Sequence, residues 1–353
     1  MQPGLEGVVA AETVLSYADP TSGKQWVRGQ AIPELVARFG YEGTVALLWE
    51  GFAGQGLTGA ATQATLGAAR QTAFAGLGGW LPMAAPRPLD EAIRIALASL
   101  ADDSGPTVIL GTLAVAVPTL LRVVDGRDPL PPDPNLPTAA DLLRMLHGKP
   151  PATAHAAALD TYFTVMADSG LSTSSFTGRT IASTRASLAA AVLGAWCAFT
   201  GPLHGGAPGP TLDLLDAVAA AEDMDAWIER KLRAGERLMG FGHRVYSGND
   251  PRAEAMRASL QAIGAAATRL ALAARVEERV AAVVARVKPG RKLPANVEIM
   301  AALLLDAVGI PRHAFTAVFA VSRCPGWIAH ALEQQQTGRM IRPTSRYVGP
   351  ALS

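Results

Sequence analysis

The chain has 353 residues, nearly half of them apolar, and carries 31 basic against 30 acidic side chains. That length exceeds what one hydrophobic core usually holds, so two structural units are expected. A formal charge of +1 excludes a globally basic nucleic-acid surface, so any anionic ligand must be held by local arginines.

Met1 to Ala10 lacks the basic stretch and apolar run of a secretory leader, and a cytoplasmic protein is expected. Residues 5–30 read as extended and turn-rich. Val8, Val9, Thr13, Val14 and Tyr17 favour strands, and Asp19-Pro20-Thr21-Ser22-Gly23 reads as a turn. The helical period then takes over in Ile32 to Phe39, Thr44 to Phe52, Ala60 to Phe74 and Leu89 to Leu100. Thr107 to Val124 is apolar for about the length of a bilayer span. Gly111, Pro118 and Arg122 within it favour a helix buried on all sides in protein, with no membrane partner. Asp125 to Pro137 is proline-dense and reads as a surface connection. Thr138-Ala139-Ala140-Asp141 resembles a capping box opening a helix to His147.

Helical patterns follow over Ala154 to Met166, Thr184 to Phe199, Pro210 to Ala220 and Asp223 to Ala234. Arg252 to Val287 reads as nearly continuous helix, and Asn296 to Val308 and Ala314 to Gln336 close the chain. No fixed-period repeat and no βαβ alternation is present, so the predicted class is all-α with a short extended N-terminal segment. Cys197 and Cys324 each read as a small buried hydrophobe. The six histidines lack acidic or thiol partners at ligand spacing, so no metal is expected.

Three glycine-flanked segments stand apart from the alanine-rich helices. In Gly201-Pro202-Leu203-His204-Gly205-Gly206, the breakers force His204 into a loop near the start of the next helix. There it is either an anion-facing donor or a turn histidine bonded to backbone. In Gly240-Phe241-Gly242-His243-Arg244-Val245-Tyr246, followed by Asp250-Pro251-Arg252, two glycines leave backbone groups uncovered, which suits a nucleotide base or phosphate. The segment lacks a P-loop ending and dinucleotide spacing. His243, Arg244 and Arg252 are either a carboxylate-binding cluster or a solvated basic loop. In Phe319 to Trp327, Arg323 interrupts an apolar run and needs an anionic partner, internal or bound.

These segments, with Gly4–Thr13, Arg28-Gly29, Ser174–Arg179, Ala182–Thr184 and Arg342–Pro350, resemble the signature blocks of the citrate synthase family, in order over nearly the whole chain. The resemblance implies a homodimer with a large helical domain, 1–206 and 306–353, and a small domain, 207–305, flanking a cleft. It implies condensation of acetyl-CoA with oxaloacetate, with coenzyme A thioester as co-substrate and no permanently bound cofactor. By the same carry-over His204 donates to the thioester oxygen, His243 protonates the keto oxygen, and Glu298 is the base. Arg252 and Arg323 hold the dicarboxylate, with Arg342 from the partner subunit. Backbone at Leu238, Met239, Gly240, Phe241 and Gly242 takes the adenine end of the coenzyme.

Four positions depart from the family pattern, one of them Ser247, which stands where relatives often have a basic residue near the coenzyme phosphates. Glu298 stands where the family has aspartate, Ser169 where it usually has a substrate-contacting histidine, and Ser172 where it usually has asparagine. They leave open a methylcitrate-type synthase, another acyl-CoA and 2-oxo acid pair, or a non-catalytic acyl-CoA-binding relative.

Overall fold

The computed structural model describes residues 4–5, 7–19, 22–206, 208–242, 250–290 and 293–350. Near the N-terminus, β1 (Ser16–Ala18), β2 (Gln25–Val27) and β3 (Gln30–Ala31) form a small antiparallel sheet. The expected turn lies between the first two, where Gly23 N–H donates to Asp19 O at 2.9 Å.

Helices make up the rest. α1 (Ile32–Glu34) runs through a wider π turn into α2 (Gly40–Trp49), and α3 (Gly59–Ala75), α4 (Leu81–Ala84), α5 (Leu89–Ala98) and α6 (Pro106–Val124) follow. α7 (Thr138–His147), α8 (Thr153–Met166), α9 (Thr173–Ala182) and α10 (Leu188–Phe199) come next. α11 (Pro208–Ala219), α12 (Met224–Arg233), α13 (Pro251–Ala262), α14 (Ala267–Val287), α15 (Val297–Ala307) and α16 (Phe315–Thr337) complete the order. The all-α expectation holds.

Among the described residues α6 alone is long and apolar enough to cross a membrane. It is buried without interruption from Ile109 to Leu121, packed by α3, α5, α7 and α16, as a core helix should be. α11, α12, α14 and α15 pack on one another, while α13 and α15 also pack against α8. That second contact sets the site, because α8, α13, α15 and α16 each bring one of its groups.

The structure corrects several local expectations. Arg252 to Val287 is two helices, broken where Ile263 leaves helical geometry before Gly264. The capping box at Thr138 does not form: Pro137 is the cap residue and has no side-chain bond to offer. Asp141 instead turns inward to the buried Arg70 (3.0 Å) and to Arg144. Arg70 also binds the Asp133 and Leu136 carbonyls, so the proline-dense connection is anchored to the core. Thr184 to Phe199 starts late, at Leu188, because Ser187 caps that helix and Arg185 takes a φ of 64°. α9 lies outside the expected helices, and its serines and threonines are weak helix formers. Cys197 is exposed, not buried; it falls on the outer face of α10, whose inner face carries Trp196 and Phe199.

The segment around Arg323 is the middle of α16, as the helical reading of Ala314 to Gln336 expected, and the helix continues through Pro325. Proline has no N–H and strands the carbonyl four residues back. Tyr41 Oη donates to that Val321 carbonyl at 2.7 Å, and Trp49 Nε1 donates to Pro325 O at 3.1 Å. Gly326 is required next to it: a Cβ there would lie 2.5 Å from Ala167 O. This close crossing lays α16 against the end of α8, and so puts Arg323 against the site.

Candidate active site

One wall is built around His204. The 201–206 turn is closed by Gly205 N–H donating to Phe199 O at 2.9 Å, and a Cβ at Gly205 would collide with the Phe199 ring at 2.6 Å. The imidazole meets Phe199 edge-on at 5.1 Å. Its Nε2 lies 2.8 Å from Ser174 Oγ and accepts the Ser174 backbone N–H at 3.2 Å. Trp327 Nε1 donates to the same Ser174 Oγ at 3.0 Å, and Ser172 Oγ lies 3.2 Å from it. The Ser174 N–H, which can only donate, makes Nε2 an acceptor and assigns the ring proton to Nδ1. Burial first, then the Arg323 charge, pushes the His204 pKa down to about 4. The ring is therefore a neutral donor through Nδ1 at any ordinary pH.

A second group of residues carries charge. Glu298 opens α15, capped by Asn296 Oδ1, which accepts the Glu298 N–H at 2.9 Å. Its carboxyl is buried and Oε2 has no hydrogen-bond partner. Burial raises its pKa to about 7, against the lowering pull of Arg252 and Arg323. Asp250 caps α13 and grips Arg252 twice, at 3.0 and 2.6 Å, and Arg252 Nη1 donates to Ser169 Oγ at 2.8 Å. The Asp-Pro pair at a helix start was the sequence signal for that cap, though it gave no hint of the arginine grip.

Arg323 is buried. Its Nε donates to Met166 O at 2.7 Å and its guanidinium stacks on Phe319, 5.0 Å from the ring centre. The bland reading of Arg323, a closely paired internal acid, is not what the described residues show. Burial lowers its pKa to about 10 while Asp168 holds it up. Arg323 is also the group whose charge reaches both His204 and Glu298. Asp168, just before Ser169, is fixed from three sides. Ser16 Oγ donates to its carboxylate, Gln25 Nε2 donates to its carbonyl at 3.2 Å, and His330 Nε2 lies 3.2 Å away.

The glycine loop joins this second group, though differently from expectation. Gly240 and Gly242 take φ of 82° and 85°, the left-handed region glycine favours. Their backbone groups were expected to be uncovered. Instead Gly242 N–H donates to Pro294 O (2.7 Å), Asn296 N–H donates to Gly240 O (2.9 Å), and Asn296 Nδ2 donates to Gly242 O (3.0 Å). The loop is thereby welded to the helix carrying Glu298. Leu238, Phe241 and Gly242 line a cavity of about 290 Å³ with Arg237, Lys288 and Leu293, while Met239 is half-buried.

His243 lies outside the described residues, as do Arg244 to Asn249. Arg342 is exposed in the extended tail after α16, a tail pinned where Ile341 N–H donates to Ser183 Oγ at 3.0 Å. Sequence reasoning gave no role to Ser174, Trp327, Asp168, Tyr162 or His330, because their importance arises from contacts between distant helices.

Comparisons with known proteins agree with this architecture. The family described as "Citrate synthase, C-terminal domain" matches residues 4–344. A citrate synthase of Haloferax volcanii is 34% identical over 99% of this chain and 96% of its own length. A citrate/2-methylcitrate synthase of Bacillus subtilis is 31% identical over 99% and 96%. Among solved structures, citrate synthase from Thermotoga maritima matches with a TM-score of 0.87 at 27% identity, covering 100% of this chain and 97% of that one. The enzyme of Thermoplasma acidophilum, solved with carboxymethyl coenzyme A and oxaloacetate, matches at 0.85 and 22% identity over 99% and 96%, a likeness of fold alone. The chain belongs to the citrate synthase family.

Proposed function

We propose that this citrate synthase family member condenses acetyl-CoA with oxaloacetate, releasing citrate and coenzyme A. The observation that carries the reading is Glu298: a buried carboxyl raised to about 7, with one oxygen unpaired, under the influence of two arginines. A carboxylate of that pKa is a better base near neutrality than an ordinary one.

Glu298 takes a proton from the thioester methyl while His204 Nδ1–H donates to the thioester oxygen, where the charge develops. The enolic carbon attacks the keto carbon, and the keto oxygen takes up a proton, in the family role of His243. Water then hydrolyses the new thioester to citrate and free coenzyme A. Arg252 and Arg323 hold the dicarboxylate through planar, permanently charged forks. Arg342 reaches the site from the partner subunit of a homodimer. Leu238 to Gly242 receive the adenine end of the coenzyme, a co-substrate that leaves with each turnover. The segment 207–305 closes over the cleft and keeps water from the enolate. The enzyme works in the cytoplasm, on these two small molecules.

A second reading, condensation of an acyl-CoA with a larger or differently shaped 2-oxo acid, is favoured by Ser169. Serine stands where the family usually has histidine, and its Oγ is taken by Arg252, so the acceptor loses an imidazole donor and gains room. Thiol release, measured over a panel of acyl-CoAs and 2-oxo acids with wild type and Ser169→His, separates the two. With oxaloacetate as natural acceptor, acetyl-CoA and oxaloacetate give the highest kcat/KM, and the variant gains little. No thiol release across the panel sinks both readings and leaves a binding protein.

A further inference from the structure

Tyr162, near the end of α8, is fully buried, and its hydroxyl has no hydrogen-bond partner. A buried, unpartnered hydroxyl is costly and calls for an explanation. Glu298 Oε2 is in the same condition. α8 and α15 pack together, and the Tyr162 ring meets Phe319 edge-on at 6.2 Å. That same Phe319 ring carries the Arg323 guanidinium. Glu298 and Arg323 are the two charges that reach the phenol. Arg323 in turn forms no ion pair among the described residues.

Among the described residues, two orphaned oxygens and a guanidinium without an ion pair therefore lie within electrostatic reach of one another, with the Phe319 ring shared by Tyr162 and Arg323. Whatever completes all three must offer acceptor oxygens to the phenol and the guanidinium, and an acidic C–H to the carboxylate. A 2-oxo acid lying beside a thioester methyl does both. We infer that the Tyr162 hydroxyl is a further substrate-contacting group, donating a hydrogen bond to an oxygen of the 2-oxo acid held by Arg323. The inference rests on the condensing reading above. Burial, and secondarily the Glu298 charge, keep the Tyr162 pKa well above its usual value, so the phenol retains its proton and stays a donor. It adds a donor to that of Ser169, whose Oγ accepts from Arg252 and keeps its own hydroxyl proton.

Tyr162→Phe removes the oxygen and keeps the ring packing. Three quantities test it on the intact protein: melting temperature without ligand, Kd for oxaloacetate alone by calorimetry, and KM for each substrate. The expected result is an unliganded melting temperature unchanged or raised, since an orphaned polar atom is gone. Oxaloacetate Kd and KM rise about 10- to 100-fold, as for a lost charge-assisted hydrogen bond, while the thioester KM stays within about twofold. A Kd equal to wild type overturns the inference. So does a fall in unliganded melting temperature with Kd unmoved, which makes the phenol a purely structural group. Wild type that neither binds oxaloacetate nor releases thiol sinks the condensing reading itself. Wild type that does both, matched by Tyr162→Phe, sinks only the role of Tyr162.

Discussion

The two walls of the site differ in how complete they are. Around His204 the polar contacts are made within the protein: Trp327 donates to Ser174 Oγ, and the Ser174 N–H and Oγ both meet Nε2. Around Glu298 and Arg323 the reverse holds, with orphaned oxygens at Glu298 and Tyr162. The first wall is a pre-built neutral donor, set before any ligand arrives, as electrostatic preorganisation requires. The second is charged and unsatisfied, and is completed by what binds to it. One wall works through rigidity, the other through a charge kept poorly solvated.

Breaking the unsatisfied wall has the largest effect. Glu298→Gln keeps the shape and removes the base, and kcat for thiol release falls by about 10²- to 10⁴-fold. In wild type the carboxyl is protonated below about 7, so kcat/KM declines on an acid limb centred there. His204, held at about 4, adds no limb above pH 5. The same variant reads stability with a definite sign. The folded pKa lies above the ordinary 4.5, so the folded state holds its proton more tightly. Wild-type stability from this group falls as pH rises from about 4.5 through 7. Above pH 8, Glu298→Gln is thus more stable than wild type, by up to about 3 kcal/mol, and equal melting temperatures at pH 8 contradict that picture.

The finished wall is less sensitive, because Nε2 meets two groups of Ser174. Ser174→Ala removes the hydroxyl that links Trp327 to His204 and leaves the backbone N–H at 3.2 Å. We expect kcat to fall about tenfold, the scale of one weakened hydrogen bond, with the oxaloacetate KM little changed. The readout is the imidazole tautomer by ¹⁵N NMR, which shifts from pure Nδ1–H toward a mixture. A variant with unaltered tautomer and altered kcat assigns Ser174 some other task.

The smallest effect sharpens the comparison from beneath the charged wall. Tyr41→Phe strips the donor from the Val321 carbonyl that Pro325 leaves unpaired. Denaturant midpoints should report a loss of about 1–3 kcal/mol. If this bond also aims Arg323, the oxaloacetate KM rises with it, whereas stability loss alone confines Tyr41 to the helix.

Much of this was legible in the chain itself. Helical periodicity is local chemistry, so α6, α8, α11, α12, α15 and α16 appeared close to their places, and breakers around His204 required a loop. The order of the glycine-flanked blocks pointed to the family before any fold was seen, because each block is short and contiguous. Local rules failed where a distant partner outweighed them. Asp141 abandoned its expected cap for the buried Arg70, and Pro325 was carried through a helix because Tyr41, far away in sequence, covers the stranded carbonyl. The residue types at 204, 298 and 323 follow from sequence alone. The proton on Nδ1, the raised carboxyl and the unpaired phenol come only from tertiary packing, since each depends on burial and on neighbours brought in from other elements of the chain.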